Sequence, residues 1–188
     1  NKANFGGAIE ASSNLTMNIT NSIFKNNRGY SGGAAVDQAA TSTFEKCQFF
    51  NNLCQSNDMT IGTGGAFQIS GTGSATFTNA TFYNNQAIGS IDDGGGHIMI
   101  YSGTVNLINC TLAEGNTTSQ GGSVSLINNT CTLNATNTIF SHSTATLSNP
   151  IIAKRTGIVN LTNCLFDLPC PTGVTCTGSL AVSYTHMT

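Results

Sequence analysis

The chain has 188 residues, of which only 7% are charged, with six Lys and Arg, eight Asp and Glu, and a formal net charge of -2. So few and so scattered cations exclude an electrostatic grip on DNA or RNA, and no apolar run approaches the roughly 18 to 20 residues that cross a bilayer as a helix. No secretory leader is visible at Asn1, and the absent initiating methionine reads as a processed or partial product: one domain, or a slice of a longer solenoid.

In chain order, a Gly-Gly-small-apolar phrase stands at Gly6-Gly7-Ala8-Ile9, Gly32-Gly33-Ala34-Ala35, Gly64-Gly65-Ala66-Phe67, Gly95-Gly96-His97-Ile98 and Gly121-Gly122-Ser123-Val124. The separations are 26, 32, 31 and 26 residues. That is too regular for chance and too loose for a coiled coil, so the chain is one unit copied with variations, its extra residues collecting in loops. A second phrase in each unit aligns on a large apolar anchor: Phe24, Phe49, Phe82, Leu112, Phe140 and Phe166. Three residues earlier stand Asn21, Lys46, Asn79, Asn109, Asn137 and Asn163, followed by a small residue: Ser22, Cys47, Ala80, Cys110, Thr138 and Cys164.

Upstream of each anchor the sequence alternates. Met17 and Ile19, Ala75 and Phe77, Val105 and Leu107, Leu133 and Ala135, and Val159 and Leu161 lie on one side, with Thr and Asn interleaved on the other. Period two means strands with one face buried and one wet. The rhythm returns after each double glycine, so a unit holds two or three short strands and cannot bury its apolar face alone. Stacked copies can, each coil bonding to the next at about the 4.8 Å strand spacing. The expected fold is all-β: a right-handed parallel β-helix (β-solenoid) of about six coils over 1–167, with a C-terminal cap or edge segment at 168–188. Within it, Asn21, Asn79, Asn109, Asn137 and Asn163 are expected to form a structural, buried asparagine ladder in a bend, and the double glycines a turn with positive φ. The second coil fits least: Lys46 replaces the ladder asparagine, Ser42 takes a core place, and Asp37 points inward if the common register holds. Otherwise Ala34 and Val36 point in, or the coil bulges. The sixth coil lacks the glycine pair and starts at Pro150-Ile151-Ile152, and the run Leu180 to Tyr184 is expected over the open end.

Eight Asn-X-Ser/Thr sequons occur, at Asn14, Asn18, Asn79, Asn109, Asn116, Asn128, Asn134 and Asn160. Asn18, Asn134 and Asn160 share an outward column, and Asn116 and Asn128 fall in expected turns. Covalent N-glycans are therefore expected on Asn14, Asn18, Asn116, Asn128, Asn134 and Asn160, and not on the ladder positions Asn79 and Asn109. Of seven cysteines, Cys170 and Cys176 bracket a short loop and are the disulfide candidates. Cys47, Cys110 and Cys164 read as buried thiols, while Cys54 and Cys131 could pair locally or cross-link neighbours.

Repeated GGA-apolar phrases followed by Phe-x-x-Asn, here Phe24-Lys-Asn-Asn27, Phe49-Phe-Asn-Asn52 and Phe82-Tyr-Asn-Asn85, resemble the repeats of chlamydial polymorphic outer-membrane proteins and related β-helix surface proteins of bacteria and protists. The resemblance spans about residues 6 to 145 and implies an extracellular adhesin or surface-structure protein, in bacteria an autotransporter passenger. The chain departs from it at Leu112-Ala-Glu-Gly115 and Phe140-Ser-His-Ser143, in lacking a translocating barrel, and in its sequon density. These departures favour a secreted eukaryotic glycoprotein.

Parallel β-helices also serve as carbohydrate-active hydrolases and lyases, which need clustered carboxylates, or calcium with a basic residue. The candidate cluster is Asp92-Asp93-Gly-Gly-Gly-His97, with Lys154-Arg155 two coils away; Asp in such a turn is ordinary turn chemistry, and Ca²⁺ binding there is the other use. His142 and His186 read as isolated surface residues. A flat threonine face, with Thr76, Thr78, Thr132 and Thr136, suggests ice or crystalline-surface binding, interrupted by Glu45, Ile108 and Ile158. The reading that fits most features is a non-catalytic extracellular structural or adhesive β-helix glycoprotein at the cell surface, without cofactor, metal, nucleic acid or membrane span. Its partners would be further copies joined end to end into a filament, or a cell-surface or glycan ligand.

Overall fold

The computed structural model describes residues 1–12, 15–38, 40–59, 62–89 and 94–181. Over these residues the chain is all β, without a helix, and winds as a parallel β-helix of about six coils. Among the described residues no helix is long and apolar enough to cross a membrane. Each full coil lays down four strands rather than two or three, and like strands stack into two six-stranded and two seven-stranded sheets. In coil three these are Phe67–Ser70 after the double glycine, Ser74–Thr78 in the alternating stretch, Thr81–Tyr83 around the anchor, and the two-residue strand Gln86–Ala87. All pairings are parallel, and Phe24, Phe49, Phe82, Leu112, Phe140 and Phe166 align as one file.

The core follows from that alignment. Phe24 stacks on Phe49 at 4.6 Å and Phe49 on Phe82 at 4.7 Å, their ring planes nearly parallel, and Phe44 stacks on Phe77 at 4.7 Å in a second file. The two files meet edge to face, as Phe77 and Phe82 do at 5.1 Å. Each buried phenyl contributes about 1.5 to 3 kcal/mol by area, and each well-placed aromatic pair about 0.5 to 1.5 kcal/mol more.

Corners hold the strands apart, and here the structure corrects one expectation. Asn21, Asn79, Asn109, Asn137 and Asn163 do line up in a bend, but they are exposed, with φ of 49°, 54°, 54°, 50° and 53°. Asparagine stands there because, among non-glycine residues, it tolerates the left-handed region best. Lys46 takes the same conformation at φ 54°. One lateral amide bond joins the file, from Asn137 to Asn109 at 3.2 Å. The buried ladder lies elsewhere, on the last residue of each Phe-x-x-Asn phrase. Asn27 Nδ2 donates to Asn52 Oδ1 at 3.0 Å, and Asn52 Nδ2 donates to Asn85 Oδ1 at 2.9 Å. The same side-chain oxygens accept the backbone N–H of Asn27 and Asn52, while Asn52 Nδ2 also donates to the Phe24 carbonyl and Asn85 Nδ2 to the Phe49 carbonyl. The asparagine preceding each rung, Asn26, Asn51 or Asn84, makes a second left-handed corner.

The double glycines divide their work. Gly64 has φ +70°, as expected of the turn, whereas Gly65 is required by close approach: a Cβ there would lie 2.1 Å from the Gly96 carbonyl oxygen of the next coil. The second coil keeps the common register without a bulge, because Asp37 pairs with Ala11 and Ile69 in the sheet and its side chain is fully buried. Its Oδ1 accepts the Ala40 N–H at 2.8 Å and its Oδ2 accepts the Ser42 hydroxyl. The two residues that fit the core pattern worst satisfy each other.

Cys170 and Cys176 form a disulfide, while Cys47, Cys54, Cys110, Cys131 and Cys164 are free and buried. Burial excludes the neighbour cross-link considered for Cys54 and Cys131. Past residue 167, Thr175–Thr177 and Leu180–Ala181 add parallel strands onto the sixth coil, so this segment is an edge strand pair; residues 182–184 of the expected covering run lie outside the described residues.

Two outcomes separate ladder from corner. Asn52→Ala orphans groups on three residues and lowers unfolding free energy by about 2 to 4 kcal/mol, whereas Asn79→Gly, which keeps the corner conformation, changes it by less than about 0.5 kcal/mol; urea unfolding of both variants checks this. A thiol reagent should label none of the five free cysteines before unfolding and all five after it.

Candidate binding face

The seven-stranded sheet built from the alternating stretches presents the broadest regular surface of the molecule. Its strands are Thr16–Thr20, Thr41–Glu45, Ser74–Thr78, Gly103–Ile108, Cys131–Thr136, Ile158–Thr162 and Thr175–Thr177. Strand alternation sends Met17, Phe44, Phe77, Leu107 and Leu133 inward and leaves three outward columns. The first column reads Thr16, Thr41, Ser74, Thr104, Thr132, Ile158; the second Asn18, Thr43, Thr76, Asn106, Asn134, Asn160, Thr175; the third Thr20, Glu45, Thr78, Ile108, Thr136, Thr162, Thr177. Twelve of these twenty residues are threonine and four are asparagine, and Glu45 carries the one charge.

Strand spacing gives this face about 29 Å along the solenoid axis and about 13 Å across. Its central column is internally ordered. Asn160 Nδ2 donates to Asn134 Oδ1 at 2.8 Å, Asn134 Nδ2 to Asn106 Oδ1 at 2.8 Å, and Asn106 Nδ2 to the Thr76 hydroxyl at 3.1 Å. At the other end the Thr43 hydroxyl donates to Asn18 Oδ1. Each carboxamide in the run thus spends one N–H, and Asn134 and Asn106 one acceptor position, on the neighbouring coil, keeping a second N–H and a second lone pair. Two open depressions mark the face. One of about 410 Å³ lies among Asn18, Thr20, Thr43, Glu45, Thr76 and Thr78, and one of about 450 Å³ borders it at Gly71, Thr72, Ser102, Gly103, Thr104 and Thr130.

Three of the predicted glycan sites, Asn18, Asn134 and Asn160, fall in this central column. Asn116 is exposed on the strand Asn116–Thr117, Asn128 is half-buried with Nδ2 donating to the Tyr101 carbonyl at 2.7 Å, and Asn14 lies outside the described residues. Asn79 and Asn109, excluded above as buried, are exposed beside the face, and the ground for that exclusion is gone.

Of the titratable residues in the candidate cluster, His97 alone falls among the described residues. Asp92 and Asp93 lie outside the described residues, and His97 is wholly buried, continuing the asparagine ladder into the coil where Gly115 has replaced asparagine. Its Nδ1 is 3.1 Å from Asn85 Nδ2, and a Cβ on Gly115 would lie 2.7 Å from the imidazole, so ring and glycine occupy one rung between them. At the surface, Ser141 Oγ lies 2.7 Å from His142 Nδ1, and Asp167 Oδ2 lies 3.6 Å from that same nitrogen while accepting the His142 backbone N–H. His142 is therefore not isolated, a proximity that only the coil register reveals. Serine and carboxylate share one ring nitrogen, whereas a catalytic triad uses both. Among the described residues no three His, Cys, Asp or Glu side chains are grouped to hold a metal. No protein-family model, curated protein or solved structure matches this chain.

Burial drives the His97 imidazole down to a pKa of about 3 from 6.5, a shift the Ala113 carbonyl opposes. The folded state thus holds this ring neutral while the unfolded chain binds a proton below pH 6.5. The stability it contributes is complete above that pH and is lost as pH falls toward 3, at about 1.4 kcal/mol per unit. Between pH 7 and 4.5 the wild type should lose about 2 to 3 kcal/mol from this group, and His97→Asn should remove that part of the slope; denaturant titrations at the two pH values measure it.

Proposed function

We propose that this protein is a non-catalytic, extracellular structural or adhesive β-helix that works by presenting its threonine and asparagine face at a cell surface. The observation that carries the reading is the face itself: an ordered, outward and nearly uncharged threonine and asparagine surface that runs across all seven strands and is interrupted only at Glu45, Ile108 and Ile158. A solenoid holds such a face in fixed register, because each strand is bonded to its neighbours. The resemblance of the repeats to those of bacterial and protist surface proteins supports the same reading, as do the Cys170–Cys176 disulfide, which suits an oxidising compartment, and the exposed sequons. N-glycans at Asn116 and Asn128 leave the face free; at Asn18, Asn134 or Asn160 they cover it.

End-to-end assembly is a second reading, favoured by the difference between the two ends. The first coil leaves Phe5, Leu15 and Ile23 exposed, at 49%, 52% and 63%, and Ile9, Met17 and Ile19 half-buried. At the far end all three prolines of the chain, Pro150, Pro169 and Pro171, border one cleft against Ile151 and Ile152, where they offer no N–H to an incoming strand. Among the described residues the four sheets end there at Thr144–Ala145, Ile152–Lys154, Thr175–Thr177 and Leu180–Ala181, the strands a neighbour's first coil would meet.

Protease treatment of intact, unpermeabilised source cells checks the main reading: the protein should disappear from them, and its survival until lysis would overturn an extracellular role. Sedimentation of the purified chain checks the second, with elongated multimers expected and a monomer at every concentration counting against it.

A further inference from the structure

Deepening the adhesive reading, we infer that the threonine and asparagine face binds the flat surface of an extended, neutral β-1,4-linked polysaccharide. Charge narrows the ligand first. No strand of the face carries Lys or Arg and Glu45 is its single carboxylate, so neither a polyanion nor a cationic mineral surface finds a counter-charge. Apolar partners fare no better, since only Ile108 and Ile158 interrupt the hydroxyl and amide lattice. What remains is a neutral ligand with hydroxyl groups and C–H surface at short, regular intervals.

Geometry narrows it further. Threonine offers a hydroxyl and a methyl at each lattice point, matching the hydroxyl edges and C–H faces of a pyranose ribbon. The central carboxamides are already held by their neighbours, from Asn160 through Asn134 and Asn106 to Thr76, so binding costs little side-chain freedom. A surface about 29 Å long with strands repeating at about 4.8 Å suits a straight, ribbon-like chain packed beside others. Tyr101, 47% exposed, stands at the rim beside the depression at Ser102 and Gly103, where a ring can lie against a sugar. The interruptions at Glu45, Ile108 and Ile158 break the strict lattice that ice requires, but not the fit of a ligand whose groups lie on flexible hydroxyls.

Depletion from solution by microcrystalline cellulose and by crystalline chitin tests this on the 188-residue chain made in a host that adds no N-glycans. Saturable binding to at least one matrix is expected, changing less than about twofold between 50 mM and 500 mM salt because no ion pairs form. The double variant Thr41→Glu, Thr162→Glu, at two exposed positions of the face, should melt like the wild type and is expected to bind at least tenfold more weakly, while Thr144→Glu on another sheet binds as before. Failure to bind either matrix overturns the inference, as does binding that the face variant leaves intact or that salt abolishes. Thermal hysteresis without matrix binding would also overturn it and reassign the face to ice. A chain that protease removes from cells yet ignores both matrices sinks this inference and leaves the surface role standing.

Discussion

Stacking at the strand spacing governs this molecule. Parallel coils about 4.8 Å apart place each side chain directly above its own equivalent, so every column must be compatible with itself. Phenylalanine satisfies that demand by parallel stacking, as the rings of Phe24, Phe49 and Phe82 do at 4.6 and 4.7 Å, and asparagine satisfies it by amide-to-amide donation. A charged residue does not, because its neighbour along the axis would be a like charge at the same spacing. The charged fraction of 7% is thus a consequence of the fold, and the scattered cations reflect columns in which a charge occurs once. Lys46 among asparagines and Glu45 among threonines are of this kind, and the two pair with each other at 3.3 Å.

Self-compatibility also explains how the solenoid tolerates its breaks. Where a column changes residue, the adjustment is made within the same coil or with the nearest one. Ser42 in a core column answers Asp37 in another, five residues away, and the hydrogen bond between them lets both stay inside. In the fourth coil the rung asparagine becomes Gly115, and the space passes to His97 from the preceding turn. In the fifth it becomes Ser143, whose hydroxyl accepts the Gly115 N–H at 3.2 Å and meets Ser123 Oγ at 2.7 Å. The ladder therefore continues past its last asparagine as a mixed run of small polar groups, which is how a buried backbone corner stays satisfied.

Repeat, strand faces and core files were legible because period-two alternation and the anchor column are dense signals. Depth at the corners was not. An asparagine column arises equally from a buried amide ladder and from exposed left-handed bends, and the sequence around Asn79 contains both, with Asn84 and Asn85 adjacent. The discriminating sign was the Asn-Asn pair after the anchors Phe24, Phe49 and Phe82, in which the first turns the chain and the second bonds across coils. The four-strand coil was hidden because Gln86–Ala87 and its equivalents are two residues long, too short to show any period. The nearness of His142 to Asp167, 25 residues apart, follows only once the register is known.

The same periodicity bears on how the sequons are weighed. On a strand, residues i and i+2 face the same way, so an outward asparagine column beside an outward threonine column spells Asn-X-Thr wherever both are filled. Asn18 with Thr20, Asn134 with Thr136 and Asn160 with Thr162 are such neighbours, and all six residues lie on the face. Asn79 with Thr81 and Asn109 with Thr111 arise in a related way, from a corner asparagine followed by the first outward residue of the anchor strand. Five of the eight sequons are thus what a threonine and asparagine surface on this solenoid produces without any selection for glycans. Asn116 and Asn128 do not belong to those columns, and they are the positions at which a sequon argues for a sugar on its own account.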